Sequence, residues 1–282
     1  MELLFESLFN GVAIGSVLLM AALGLAIVFG LMGVINLAHG ELIMLGAYTT
    51  YVVQLIFKLP FLAPVYNAYV LVAIPCAFVV SGVIGILLER TVIRRLYGNP
   101  LETLLATWGV SLILQQFVRS VPLAYAAGMV VFLVLGFSLP LFLPTPLLEG
   151  RQSRLVRSGG WAVSALIGVL CAGGLASQIS RIARATSRNV DVTAPKWMRG
   201  GLEWMDLTFP VPRLVIIVMT FIAVVGVIWF LNRSVWGIRI RAVTQNRSMS
   251  DCLGIPTDTV DVLTFGIGSG LAGVAGVAVS LL

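Results

Sequence analysis

The sequence predicts an all-α fold, a polytopic transmembrane helical bundle of about eight apolar segments, each near the ~20 residues that cross a bilayer as a helix. Three observations predict it. Of 282 residues, 59% are hydrophobic and only 11% charged, with a mean hydropathy of +1.03, more apolar surface than a soluble core can use. Several uninterrupted apolar runs reach spanning length. Lys and Arg gather in the short connections between those runs, where topology signals sit, so the net charge of +6 reads as orientation and not as nucleic-acid binding. Residues 1–282 are read as one membrane domain.

Residues 8–31 form the first span, in which Gly11 and Gly15 make a small-xxx-small step suited to close helix packing. Ahead of it stand Glu2 and Glu6 but no basic n-region, so this helix is not a cleaved signal. The stretch Asn36-Leu37-Ala38-His39-Gly40-Glu41 then sets polar and ionisable groups between two apolar runs. It either turns at a membrane face or breaks a helix within the bilayer. Residues 42–57 make the second span and 69–88 the third, which ends in Glu89 followed by Arg90, Arg94 and Arg95. Short cytoplasmic loops carry excess Lys and Arg, which places 90–95 inside, the N-terminus outside and the 36–41 turn towards the cytoplasm.

The fourth span, 101–118, is entered through Gly98-Asn99-Pro100, a turn whose proline suits a helix start. Thr107, Ser111 and Gln115 fall on one face of it, with Gln116 beside them. Such groups in hydrocarbon need partners, so the stripe faces either another helix or a wet path. Residues 121–188 read as an inserted hairpin, with Arg151, Arg154 and Arg157 at its cytoplasmic bend; an interfacial amphipathic helix around 178–187 is the alternative. Residues 189–212, which include Trp197 and Trp204, read as an extracytoplasmic loop. After a span at 213–231, residues 232–261 return Arg233, Arg239, Arg241 and Arg247 to the cytoplasm. A short helix is predicted at 240–253, stopped by Gly254 and Pro256, and its charged flanks suit docking onto a soluble partner. The last run, 262–282, carries Gly266, Gly270, Gly273 and Gly276 for tight helix contact. It lacks a polar flank, so a shortened product is expected.

Several chemistries are absent from the sequence. No Gly-x-x-x-x-Gly-Lys phosphate loop occurs, so ATP would have to be hydrolysed by partner subunits. His39 is the single histidine, and Cys76, Cys171 and Cys252 lack metal-type spacing. A His39–Glu41 acid–base pair is disfavoured because residues two apart point differently on a helix. We expect no enzyme, no metal and no bound cofactor.

Residues 24–41, GLAIVFGLMGVINLAHGE, followed by Leu45-Gly46-Ala47-Tyr48, strongly resemble the permeases of branched-chain amino acid and urea ABC importers. Glu89-Arg90 with residues 100–116, PLETLLATWGVSLILQQ, and Asn189 to Pro195 look most like the urea branch. The resemblance implies a bacterial inner-membrane subunit of the ABC importer permease type. Its implied partners are a second, similar permease, two cytoplasmic ATPases and an extracytoplasmic solute-binding protein, in a lipid bilayer. It also makes the 232–261 loop the coupling element, with Arg239, Arg241, Asn246, Asp251 and Gly254 on the ATPase. The expected solute is urea or a close small amide moved by alternating access, because a neutral donor–acceptor solute suits amides and hydroxyls. Asn36, Thr107, Ser111, Gln115 and Gln116 would line its path, and His39, Gly40 and Glu41 would hold a gating break. The alternatives are a branched-chain amino acid permease and an ATP-independent urea channel.

Overall fold

A computed structural model describes residues 2–58, 63–120, 128–130, 132–134, 192–204 and 207–282. Among them, six helices are long and apolar enough to cross a membrane: α1 (Glu2–Met32), α2 (His39–Phe57), α3 (Tyr69–Thr91), α4 (Pro100–Ser120), α5 (Val211–Arg233) and α8 (Thr257–Leu281). Two short helices, α6 (Val235–Gln245) and α7 (Arg247–Cys252), connect α5 to α8. The hairpin expected at 121–188 lies outside the described residues, apart from 128–130 and 132–134, which are helical.

The helix α8 is the axis of the bundle. Nearly all its residues from Val260 to Ala278 are buried, and α1, α2 and α3 all pack against it. Side chains that end at hydrogen allow this. A Cβ on Gly46 of α2 would run into the Gly273 carbonyl, and one on Gly276 would strike the Ile43 carbonyl. A Cβ on Gly24 of α1 would lie 2.7 Å from Gly268 O, and one on Gly273 would lie 2.5 Å from Ala77 O of α3. Backbones therefore touch directly, as small residues permit in apolar surroundings where dispersion has to hold helices together. The first-span step of Gly11 and Gly15 is different, since neither has an atom within 4 Å of an added Cβ.

The termini of the spans sort onto two faces. On one face lie the α1–α2 turn, the end of α3 with its arginines, and α6–α7. The Thr244 hydroxyl donates to Leu31 O at 3.0 Å, and the Arg94 guanidinium lies 3.3 Å from Asp258. We call this the basic face. On the opposite face, the Gln54 amide donates to Thr193 O at 3.0 Å and the Tyr69 hydroxyl donates to the same oxygen at 2.8 Å. There too Arg213 of α5 donates to Asn10 of α1, and Phe209 meets Phe9 edge-on at 5.0 Å.

Two local readings change. The segment read as a loop at 189–212 contains an antiparallel hairpin, β1 (Gly201–Trp204) paired with β2 (Leu207–Pro210), with Gly201 opposite Pro210. The helix predicted at 240–253 is two helices. Asn246 leaves helical geometry at φ −155° and its Oδ1 accepts the Met249 N–H at 3.0 Å, because asparagine serves better as an N-cap than inside a helix. Gly254 stops α7 at φ +78°, and the Ile255 N–H closes the end on Ser250 O at 3.1 Å, a left-handed turn that glycine adopts without strain.

Gly46→Ala should separate α2 from α8 and lower stability by about 1–3 kcal/mol, the usual cost of overpacking. Gly15→Ala, with open space around it, should leave the unfolding temperature unchanged. Thermal unfolding of the detergent-solubilised protein compares the two.

Candidate functional site

The connection between α1 and α2 is fixed from both sides. Gly33 ends α1 in the left-handed region at φ +67°, its N–H bonded to Phe29 O at 2.9 Å. Asn36 Oδ1 accepts the Ala38 N–H at 3.0 Å, forming an Asx turn that aims the chain into α2. The His39 ring then leans on α1, where Nε2–H donates to Ala21 O at 3.0 Å. It occupies the space left by Gly24, whose added Cβ would lie 3.2 Å from His39 Cε1.

The polar stripe of α4 holds the other side. The Leu37 N–H donates to Thr107 Oγ1 at 3.2 Å, and Glu41 Oε1 accepts from Ser111 at 3.0 Å and from the Gln115 amide at 2.6 Å. Hydrogen bonds to a carboxylate are among the stronger ones; these two, with the Leu37–Thr107 bond, align along one face of α4. His39 and Glu41 thus face different helices and do not pair with each other. Gln116 lies outside this clasp and is exposed, and Gly40 is exposed at the turn. Asn36 is buried, and its Nδ2 has no partner among the described residues.

A second cluster sits on the basic face. The Arg94 guanidinium lies 3.4 Å from Glu89 Oε1 and 3.3 Å from Asp258 Oδ2. Arg247 lies 2.5 Å from Asp261 Oδ2, 3.8 Å from Asp258 Oδ1, and over the Tyr97 ring with 4.8 Å to its centre. Glu89 and Asp261 are buried, whereas Asp258 is mostly exposed. Burial, and then the Asp261 and Glu89 carboxylates, push the Tyr97 hydroxyl above the usual phenol range, so it stays neutral. Burial pulls the Arg247 guanidinium down, but Asp261, Tyr97 and Asp258 together outweigh this and hold it charged. The sequence reading did not bring this cluster together. Its signal was there in Glu89 and Asp261, two carboxylates at the edges of apolar runs where ionisable groups need a partner.

The loop residues predicted for coupling are spread along α6–α7. Arg239 stacks on Trp236 at 4.9 Å, and Arg241 donates to Asn232 at 3.1 Å. Asn246 caps α7, and Asp251 accepts from the Thr257 hydroxyl at 3.4 Å. Val235, Ile238, Met249 and Leu253 expose apolar side chains beside them. Among α1, α5 and α8, with Ile240 of α6 at its edge, lies an apolar cavity of about 420 Å³, lined by Ile27, Leu31, Phe230, Ile240, Thr264 and Leu271 among others. Among the described residues, no group of three or more His, Cys, Asp or Glu side chains is placed to hold a metal.

A family described as branched-chain amino acid transport system / permease component matches residues 7–119 and 104–282. The chain is 26% identical, over 280 aligned residues, to the high-affinity branched-chain amino acid transport system permease protein LivH of Escherichia coli strain K12. The LivH protein of Salmonella typhimurium gives the same figures, and in each case 96% of this chain and 69% of the relative are covered. The permease protein BraD of Pseudomonas aeruginosa is 26% identical over 277 residues, covering 98% of this chain and 70% of the relative. These relatives carry branched-chain amino acid names, whereas the sequence reading preferred the urea branch. No solved structure matches the chain significantly.

Glu41→Ala leaves the Ser111 and Gln115 donors without their acceptor, and should cost about 1–3 kcal/mol. Gln115→Leu should cost less when combined with Glu41→Ala than alone, because the two share one interaction. A double-mutant cycle on thermal unfolding measures both.

Proposed function

We propose, because the chain belongs to the branched-chain amino acid transport system permease family, that it is a membrane subunit of an ATP-driven importer that moves branched-chain amino acids by alternating access. The family match across residues 7–119 and 104–282 carries this reading. It is a multi-pass membrane protein of a transport system, and bacterial inner membrane is the compartment such an importer implies. The partners that go with this function are a second permease, two cytoplasmic ATPases and a solute-binding protein.

The site geometry also weighs against urea. Preference for urea rested on open amides and hydroxyls along α4, but Thr107, Ser111 and Gln115 are engaged in clasping the α1–α2 turn. Only Gln116 of that stripe is exposed. The cavity beneath α6 is apolar, with Thr264 its one polar side chain, surroundings better suited to a hydrocarbon side chain than to a small diamide. Glu41 and His39 then act as structural members of a break, and Asn36 Nδ2, buried without a partner among the described residues, is a group of this turn still to be satisfied.

On this reading the basic face is cytoplasmic, which the excess of arginine in its loops supports. The α6–α7 pair is the element that seats on an ATPase. Its exposed Val235, Ile238, Met249 and Leu253 supply an apolar contact, and Arg239 and Arg241 supply charge beside it.

Reconstituted with its partner permease, ATPases and binding protein, the transporter should hydrolyse ATP faster with leucine and not with urea. The reverse response would reinstate the urea assignment, and solute flux through this chain alone without ATP would make it a channel. Gly254→Pro cannot adopt the positive φ of that turn, and it should uncouple or release the ATPase while membrane insertion persists. Arg241→Glu should do the same, as ATPase copurification and solute-stimulated hydrolysis will report.

A further inference from the structure

Three arrangements meet at Arg247, the first residue of α7. Its guanidinium reaches into the bundle to Asp261 on α8 at 2.5 Å, a carboxylate that is buried. The same group lies over the ring of Tyr97, in the connection between α3 and α4, with 4.8 Å to its centre. Through Asp258, 3.8 Å away, it joins Arg94 and so the fully buried Glu89 at the end of α3. Among the described residues, both ion pairs that α7 makes come from this one side chain.

The setting of Arg247 matters as much as its partners. Just before it, Asn246 breaks the helical path, so α7 is a separate element from α6 and is joined to it by one extended residue. Just after it, Met249 and Leu253 point outwards on the apolar crown of the loop. On its inner side, α8 is locked to α1, α2 and α3 by direct backbone contact, so a pull on Asp261 is a pull on the whole bundle. Packed elements with little room for compression respond to such a pull by moving as bodies.

We infer that Arg247 is the positioning residue that carries movement of the α6–α7 loop into α8 and α3, through Asp261 on one side and the Asp258–Arg94–Glu89 chain on the other. This rests on the coupling reading of the loop given above, and assigns the link to a residue whose part in that reading is not surface contact. Arg247 touches neither solute nor nucleotide. Its effect passes through α8.

The test uses the complete transporter purified with its partner subunits. Arg247→Gln and Asp261→Asn should each lower leucine-stimulated ATP hydrolysis about tenfold, within the range of a typical coupling free energy. Basal hydrolysis and copurification of the ATPases should be kept, and the two losses should not add. The paired variant Arg247→Met with Asp261→Leu leaves no ion without its partner and so should assemble even where a single variant does not. It should be uncoupled to the same degree, whereas Arg247→Lys should recover part of the stimulation. Stimulated hydrolysis within about twofold of the unaltered transporter in the paired variant would overturn the inference. So would uncoupling that occurs only together with loss of the ATPases, which would make Arg247 part of the docking surface. If the unaltered transporter carries no ATPase and shows no leucine response, the proposed function fails, and the inference with it.

Discussion

Direct backbone contact at α8 is the constraint on which the rest of the structure depends. Lipid tails are as apolar as leucine, so burying hydrocarbon gives helices in a bilayer little reason to associate, and close packing has to supply it. Gly24, Gly46, Gly268, Gly273 and Gly276 bring α1 and α2 against α8, and Gly273 also receives the α3 backbone at Ala77. With three helices fixed on one axis, polar groups on their facing sides meet defined neighbours. His39 can reach Ala21, and the Ser81 hydroxyl can reach Leu42 O at 3.1 Å.

The polar residues inside the apolar runs follow from that frame. A side chain able to hydrogen-bond in hydrocarbon costs several kcal/mol unless it is satisfied. Thr49, Thr50 and Thr264 bond to a carbonyl one turn back on their own helices. Glu41 and Gln54 instead join separate parts of the chain, Glu41 to α4 and Gln54 to Thr193. The clasp on Glu41 matters more for α4 than for α2. Buried residues of α4 are few, chiefly Thr103, Thr107 and Ser111, so polar contacts hold this helix where apolar packing does not.

The spans were legible in the sequence because length and hydropathy are decided by the bilayer, not by tertiary detail. Boundaries moved where local chemistry intervened: α2 opens at His39 because the Asx turn of Asn36 prepares it, and α6–α7 splits because Asn246 prefers to cap. The one-face spacing of Thr107, Ser111 and Gln115 was also legible, but spacing alone left open whether the stripe met a helix or water. Its partner lies some seventy residues away in sequence, at Leu37 and Glu41. The same distance hid the ionic cluster, since Glu89 and Asp261 meet only after α3 and α8 have packed. Solute identity was the least legible property, because three of the groups that looked suited to urea, Thr107, Ser111 and Gln115, prove to be engaged in holding the fold.

The position of α8 in the chain gives the bundle a history as well as a shape. Synthesis runs from the N-terminus, so α1, α2 and α3 enter the membrane before the helix that unites them has been made. Until then α2 carries Glu41, Thr49, Thr50 and Gln54 in hydrocarbon with only early-made neighbours to satisfy them, α4 among these. The Glu41 clasp is therefore available to the nascent chain before the glycine contacts are, and α8 arrives as a wedge that draws an already paired set of spans together.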